Sequence, residues 1–280
     1  MKRKAIIGII AGVLLLLTGI VLGGGFYVLN YALIPETTRH NEASSYGRLT
    51  TGYPFLKQWV DSLNETLALK DTFILNKEGI QLHAYYAATT PPTAKTAVII
   101  HGYGDDAWGM MMIGYMYHHD FGFNILLPDL QFHGKSEGSV VQMGWKDRLD
   151  VMEWMTVANS IFGNDTQMIV HGISMGAATT MMISGEEQPD FVKCFVEDCG
   201  YTSVWDEFSK ELEDRFHLPK FPLLYVSDWL CRQKYGWSFK EASPLNQIKK
   251  STLPMLFIHG DADTSVPTQM VYSLYEAKPE

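Results

Sequence analysis

The sequence predicts an α/β fold, a mostly parallel sheet with helices on both faces. Three observations carry that prediction. Apolar runs of strand length recur along the chain, helix-length stretches lie between them, and a hairpin signal comes just before the first. Strands buried on both faces read as continuous apolar runs, and interleaved helices supply the crossovers a parallel sheet needs. The 280 residues are 46% hydrophobic and 19% charged, which permits a packed core and excludes wholesale disorder.

Taken in order, Lys2, Arg3 and Lys4 precede an uncharged run from Ala5 to Leu29. That run exceeds the roughly 20 apolar residues that cross a bilayer. It also exceeds the roughly 7–15 residues of a cleaved signal peptide, so residues 1–30 are expected to be an uncleaved transmembrane signal anchor. The membrane is then a partner through residues 5–29, and the basic cluster keeps the N-terminus cytoplasmic. Residues 31–52 are polar and read as an irregular stalk. Tyr53-Pro54 opens a short helix through Glu65, with Phe55, Trp59, Val60 and Leu63 on one side. Asn64-Glu65-Thr66 matches a glycosylation sequon but reads as an exposed helix face. Thr72–Leu75 and Gln81–Ala87 flank the turn Asn76-Lys77-Glu78-Gly79. Strands are expected at Thr96–Ile100, Asn124–Leu127, Met168–Val170, Cys194–Val196 and Met255–Ile258. Helices are expected at Trp108–His119, Trp145–Ile161 and Met175–Ser184. The aromatic-rich stretch between Val196 and Pro254 is longer than a crossover needs. Its helical patterns at Val204–Arg215 and Leu223–Lys234 predict either a small cap, about 201–251, or extra helices at the sheet edge. Residues 53–280 are then one domain that includes this cap.

The net charge is −9 and no basic patch lies beyond the first four residues, which argues against a nucleic-acid partner. Cys194, Cys199 and Cys231 cannot form a disulfide framework, and neither C-x-x-C nor H-E-x-x-H spacing marks a metal site. No metal or cofactor is expected.

Three strand-end loops carry the chemistry. Gly172-Ile173-Ser174-Met175-Gly176 follows one apolar strand and opens a small-residue helix, the context a nucleophile elbow requires. Its glycines allow a tight turn that leaves the Ser174 hydroxyl at the tip. His101-Gly102-Tyr103-Gly104 follows the strand at 96–100, in the order of elements that donates the second oxyanion N–H. The donors are therefore assigned to the backbones of Tyr103 and Met175, with His101 supporting the turn. Gly260-Asp261-Ala262-Asp263 follows the strand at 255–258, where a triad acid after the serine belongs. Asp263 is the leading candidate, with Asp261 and then Asp198 behind it. Met110-Met111-Met112, Met175 and the cap aromatics suggest an adaptable apolar pocket, whereas Met181 and Met182 read as core.

These loops, with Pro128-Asp129-Leu130-Gln131-Phe132-His133-Gly134-Lys135-Ser136-Glu137-Gly138 and Cys199-Gly200-Tyr201-Thr202-Ser203, resemble the α/β-hydrolase superfamily. More narrowly they resemble membrane-anchored, cell-surface serine hydrolases of Gram-positive bacteria, grouped with serine aminopeptidase-like and acyl-esterase-like members. The resemblance runs from about Tyr53 to the end of the chain. It implies that Ser174 is the nucleophile, Asp263 the acid, and Tyr103 and Met175 the oxyanion donors. It also implies an acyl-enzyme route on a small carboxylic ester, thioester or peptide-like substrate, at the outer face of the cell membrane. A serine at the elbow argues against the dehalogenase branch, which uses an aspartate there.

One element departs from the resemblance. The family places its base histidine after the acid, and Thr264 to Glu280 contain none. The base is therefore unassigned, and a chain cut short before a last strand and helix is the expectation. The alternative is an inactive or truncated hydrolase-like module tethered to the membrane.

Overall fold

The computed structural model describes residues 2–35 and 42–280. Helix α1 spans Lys2–Leu33, α2 Glu42–Gly52 and α3 Lys57–Glu65, the last entered through a tight turn at Pro54–Leu56. Seven strands follow: β1 Lys70–Leu75, β2 Gln81–Ala87, β3 Lys95–Ile100, β4 Asn124–Asp129, β5 Gln167–Ile173, β6 Val192–Asp198 and β7 Met255–Ile258. Between and after them lie α4 Met111–Tyr115, α5 Asp147–Ile161, α6 Met175–Ser184, α7 Val204–Phe216, α8 Leu223–Tyr235, α9 Pro244–Ile248 and α10 Gln269–Ala277. The strands form one sheet in the order β1-β2-β4-β3-β5-β6-β7. The hairpin β1–β2 is antiparallel and joins β4 antiparallel, and every later pairing is parallel.

The sheet is covered on both faces, as its apolar strands require. Along β3, Val98 and Ile100 enter one core cluster while Ala97 and Ile99 enter the other. Along β4, Leu126 joins the first cluster, and Ile125 and Leu127 the second. Alternating side chains of one strand thus feed two cores, the pattern of a sheet between helical layers. All ten residues of α6 are buried, so the helix behind the elbow is a central strut.

Four details differ from the sequence expectations. Residues 42–52 are helical, although the stretch reads as irregular. Ser45 of α2 is buried and hydrogen-bonds Asp106, Arg48 pairs with the same carboxylate at 3.1 Å, and Leu49 is buried. Polar groups, not an apolar stripe, seat this helix, so periodicity does not reveal it. The rest of the expected stalk falls partly at 36–41, outside the described residues. Helix α1 continues past residue 30, and Val28, Leu29 and Leu33 are buried in the first core. Phe55, expected on the packed side of its helix, is 65% exposed, and Leu56 is buried in its place. Finally, β7 exposes Leu256 and Ile258, because only its Phe257 side is packed, against α10.

Candidate active site

Ser174 sits at the junction of β5 and α6 with φ 56° and ψ −117°, a left-handed backbone forced on a non-glycine residue. Such strain is rare and persists only where the surroundings hold it. Two features do so here. Its amide donates to the carbonyl of Asp198 at 2.8 Å, and its carbonyl accepts from Ala178 within α6. The flanking glycines act through contact and not through φ. A Cβ on Gly172 would lie 2.0 Å from the Gly176 carbonyl oxygen, and one on Gly176 would lie 2.2 Å from that of Ile100. Ser174 itself is half-buried at the C-terminal edge of the sheet.

The loop after β3 lies against the serine. A Cβ on Gly102 would lie 3.4 Å from Cβ of Ser174 and 3.8 Å from its Oγ. Tyr103 is the next residue, and Met175 opens α6, where an N–H has no carbonyl one turn back. His101 holds this loop. Its Nε2 accepts from the Leu130 amide at 3.0 Å, so Nδ1 carries the proton and donates to the Gly102 carbonyl at 2.7 Å. The Tyr103 side chain reaches α1, where its hydroxyl donates to the Ala32 carbonyl at 2.7 Å. Burial pushes that phenol above its ordinary range.

The loop after β7 lies two strands from the elbow. Strands stand about 4.8 Å apart, so β5 and β7 are separated by about 10 Å. The three strand ends are stitched together: Ser174 donates to Asp198 at the end of β6, and Cys199 donates to Ile258 at the end of β7. Asp263 is partly buried, whereas Asp261 is exposed. One Asp263 oxygen accepts from the amides of Ser265 and Val266 at 2.8 and 3.0 Å. Its other oxygen lies 3.6 Å from His259 Nε2. Asp198, the third candidate, has its carboxyl raised by burial.

The histidine rings with visible partners are engaged elsewhere. His83 lies between Asp129 and Asp71, each at 2.7 Å. His133 bonds the Gln131 carbonyl, His171 the Tyr117 hydroxyl, and His259 the Val266 carbonyl. His118 and His119 bond Ala88 and Asp120. His217 ends α7, and His40 lies outside the described residues.

Sequence reasoning missed two acids around this site. Glu197 on β6 is fully buried, and its carboxyl is pushed up to about 8 by burial although one oxygen accepts from the Gly200 amide. Glu207 on α7 is raised to about 7, first by burial and then by neighbouring acids that include Asp263. Burial likewise pushes the Cys199 thiol, near Ser174, up to about 11. The methionine pocket is not formed as expected: Met110, Met111 and Met175 are packed in the two cores.

A strand–elbow–helix serine, a glycine loop beside it and an aspartate-bearing loop two strands away, on a sheet of this order, define an α/β-hydrolase fold. Residues 130–277 match the prolyl oligopeptidase family. That match covers more than half of the chain, and the chain belongs to this family. The uncharacterized protein YqkD of Bacillus subtilis (strain 168) is 27% identical over 210 residues, covering 75% of this chain and 68% of that protein. An uncharacterized membrane protein of Saccharomyces cerevisiae is 24% identical over 207 residues, covering 74% of this chain and 66% of its own. The chain thus spans about two thirds of these relatives. A Pyrococcus furiosus esterase shares the fold with a TM-score of 0.59 at 22% identity, covering 75% of this chain and 76% of the esterase. A Pyrococcus horikoshii acylaminoacyl peptidase shares it with 0.52 at 16% identity, covering 75% of this chain and 35% of the peptidase.

Proposed function

We propose that this protein is a serine hydrolase that transfers an acyl group from a carboxylic ester, or from a thioester or amide, through Ser174. The observation that carries the proposal is the strained, half-buried Ser174 held beside the Gly102–Tyr103 loop. In this reading Ser174 attacks the carbonyl and forms an ester with the acyl group, the alcohol leaves, and water then hydrolyses the acyl-enzyme. The Tyr103 and Met175 amides stabilise the oxyanion, and Asp263 orients the base. No residue is assigned as that base. The apolar run that begins at residue 5 anchors the chain in the cell membrane as a single pass with a cytoplasmic N-terminus, its end from Gly24 packing instead on α8 and in the first core, and the domain that follows lies outside the cell. The long apolar helix α1 supports this placement.

The second reading is a membrane-tethered module without turnover. It is favoured by the engagement of the His83, His101, His133, His171 and His259 rings with partners other than Ser174. Fluorophosphonate labelling and p-nitrophenyl acetate turnover separate the two. Labelling and turnover that vanish in Ser174→Ala establish the hydrolase. Wild-type values equal to those of Ser174→Ala establish the inactive module.

A further inference from the structure

Helix α1 connects the apolar run to the oxyanion loop without a break. Its residues from Ile6 to Ile20 are exposed, Val21 is half-buried, and at Gly24 and Gly25 it meets α8 so closely that added Cβ atoms would lie 2.8 Å from Leu223 and 2.5 Å from Val226. Residues 5–23 rise about 28 Å at 1.5 Å per residue, close to the roughly 30 Å of a hydrocarbon core. If α1 crosses the bilayer, the surface of that core falls at the contact with α8. Beyond it Tyr27 and Tyr31 lie one turn apart on α1, with ring centroids 6.3 Å apart and exposures of 59% and 46%. Both rings meet the edge of Phe216 at the end of α7, at 6.4 and 5.2 Å. One residue past Tyr31, the Ala32 carbonyl takes the hydroxyl of Tyr103, which is itself 40% exposed. From Gly23 to Ala32 the axis rises about 14 Å.

Tyr27, Tyr31 and Phe216 therefore form one ring cluster, exposed at the two tyrosines and half-buried at Phe216, and the Tyr103 hydroxyl ties α1 just beyond it to the loop beside Ser174. Isolated exposed rings need no explanation, but a cluster set between the apolar run of α1 and the loop beside Ser174 does. We infer that Tyr27, Tyr31, Phe216 and Tyr103 form a track for the acyl chain of a long-chain ester drawn from the same bilayer that α1 crosses. An ester lifted about 14 Å out of the bilayer would expose much of its chain to water, and the rings replace that water. The inference rests on Ser174 as nucleophile and α1 as anchor, and it adds the substrate class.

The test uses the full chain in phosphatidylcholine vesicles, with p-nitrophenyl palmitate and p-nitrophenyl acetate. The expected kcat/KM for palmitate exceeds that for acetate at least tenfold. The palmitate-to-acetate ratio should fall at least tenfold in the double variant Tyr27→Ser, Tyr31→Ser. Palmitate placed in the vesicles that hold the protein should turn over faster than palmitate in separate vesicles. An unchanged ratio in the double variant overturns the track, and equal rates in the two vesicle arrangements overturn supply from the shared bilayer. Acetate turnover that depends on Ser174, without a preference for palmitate, leaves the hydrolase standing and removes the track alone. Absence of turnover on both esters removes both.

Discussion

At Ser174 the backbone accepts a conformation that its own side chain disfavours, and its neighbours make the alternatives worse. Gly172 and Gly176 have no room for a methyl group, and the nearest atoms are main-chain carbonyls that cannot swing aside. Gly176→Ala should therefore destabilise the fold by about 3 kcal/mol, the upper range for overpacking, with labelling of Ser174 lost at the same time. A denaturant melt checks the first part, and an unchanged midpoint would refute it. The two loop aspartates differ in kind. Asp263 is ordered by two amides, while Asp261 faces solvent. On the proposed mechanism Asp263→Asn lowers kcat by about 10²–10⁴, as loss of a histidine-orienting acid does, and Asp261→Asn changes it less than twofold. Ester turnover by the two variants distinguishes them, and the reverse order would move the acid to Asp261.

Among the elements, those that bury apolar residues on both sides were legible in the sequence. The runs at 96–100, 124–127 and 168–170 announce β3, β4 and β5, because a central strand has no polar face to interrupt the pattern. The elbow was legible for a related reason: glycine two positions on either side of a serine, between strand and helix, has few other uses. What stayed hidden depends on contacts distant in sequence. Helix α2 is seated by hydrogen bonds to Asp106 after β3, and a polar sequence does not announce its partners. The reach of α1 into the domain was hidden as well, because an apolar helix reads alike whether lipid or protein covers it. Gly23-Gly24-Gly25 was the available clue, since small residues let helices approach closely. Gly25→Leu should accordingly force α8 away from α1, break the Ser227 hydroxyl bond to the Gly25 carbonyl, and destabilise the fold by about 1–3 kcal/mol. Proteolysis of the α7–α8 segment should quicken, and an unchanged cleavage rate would show that α1 and α8 are independent.

Over the whole molecule the acids set the response to pH. Several carboxyls are held above their ordinary range, each mainly by burial, among them Asp147 at about 7, Asp150 at about 6, Glu197 at about 8 and Glu207 at about 7, with Asp105, Asp198 and Asp228 raised in the same direction. Asp147 is also raised by Asp150, one turn along α5. An acid whose folded value is raised holds its proton more tightly in the folded state. Its contribution to stability is complete below the unfolded value near 4 and is lost as pH rises through the folded value. Asp129 and Asp71 act in the opposite sense. Both are held low by His83, against the opposing effect of burial, so their contribution is lost only as pH falls below 4. Together these groups place maximal stability near pH 4–5 and predict a decline toward pH 8. The net charge of −9 adds self-repulsion in the same direction. Thermal melts of the full chain should show Tm falling between pH 5 and pH 8. Asp147→Asn removes one titration while keeping an acceptor for the Gly144 amide, which now bonds the carboxylate at 2.9 Å. That variant should melt on the order of 5 °C above wild type at pH 8 and at the same temperature as wild type at pH 4. A wild-type Tm that climbs from pH 5 to pH 8 would mean that these carboxyls are ionised in the folded protein, with water or a cation reaching them.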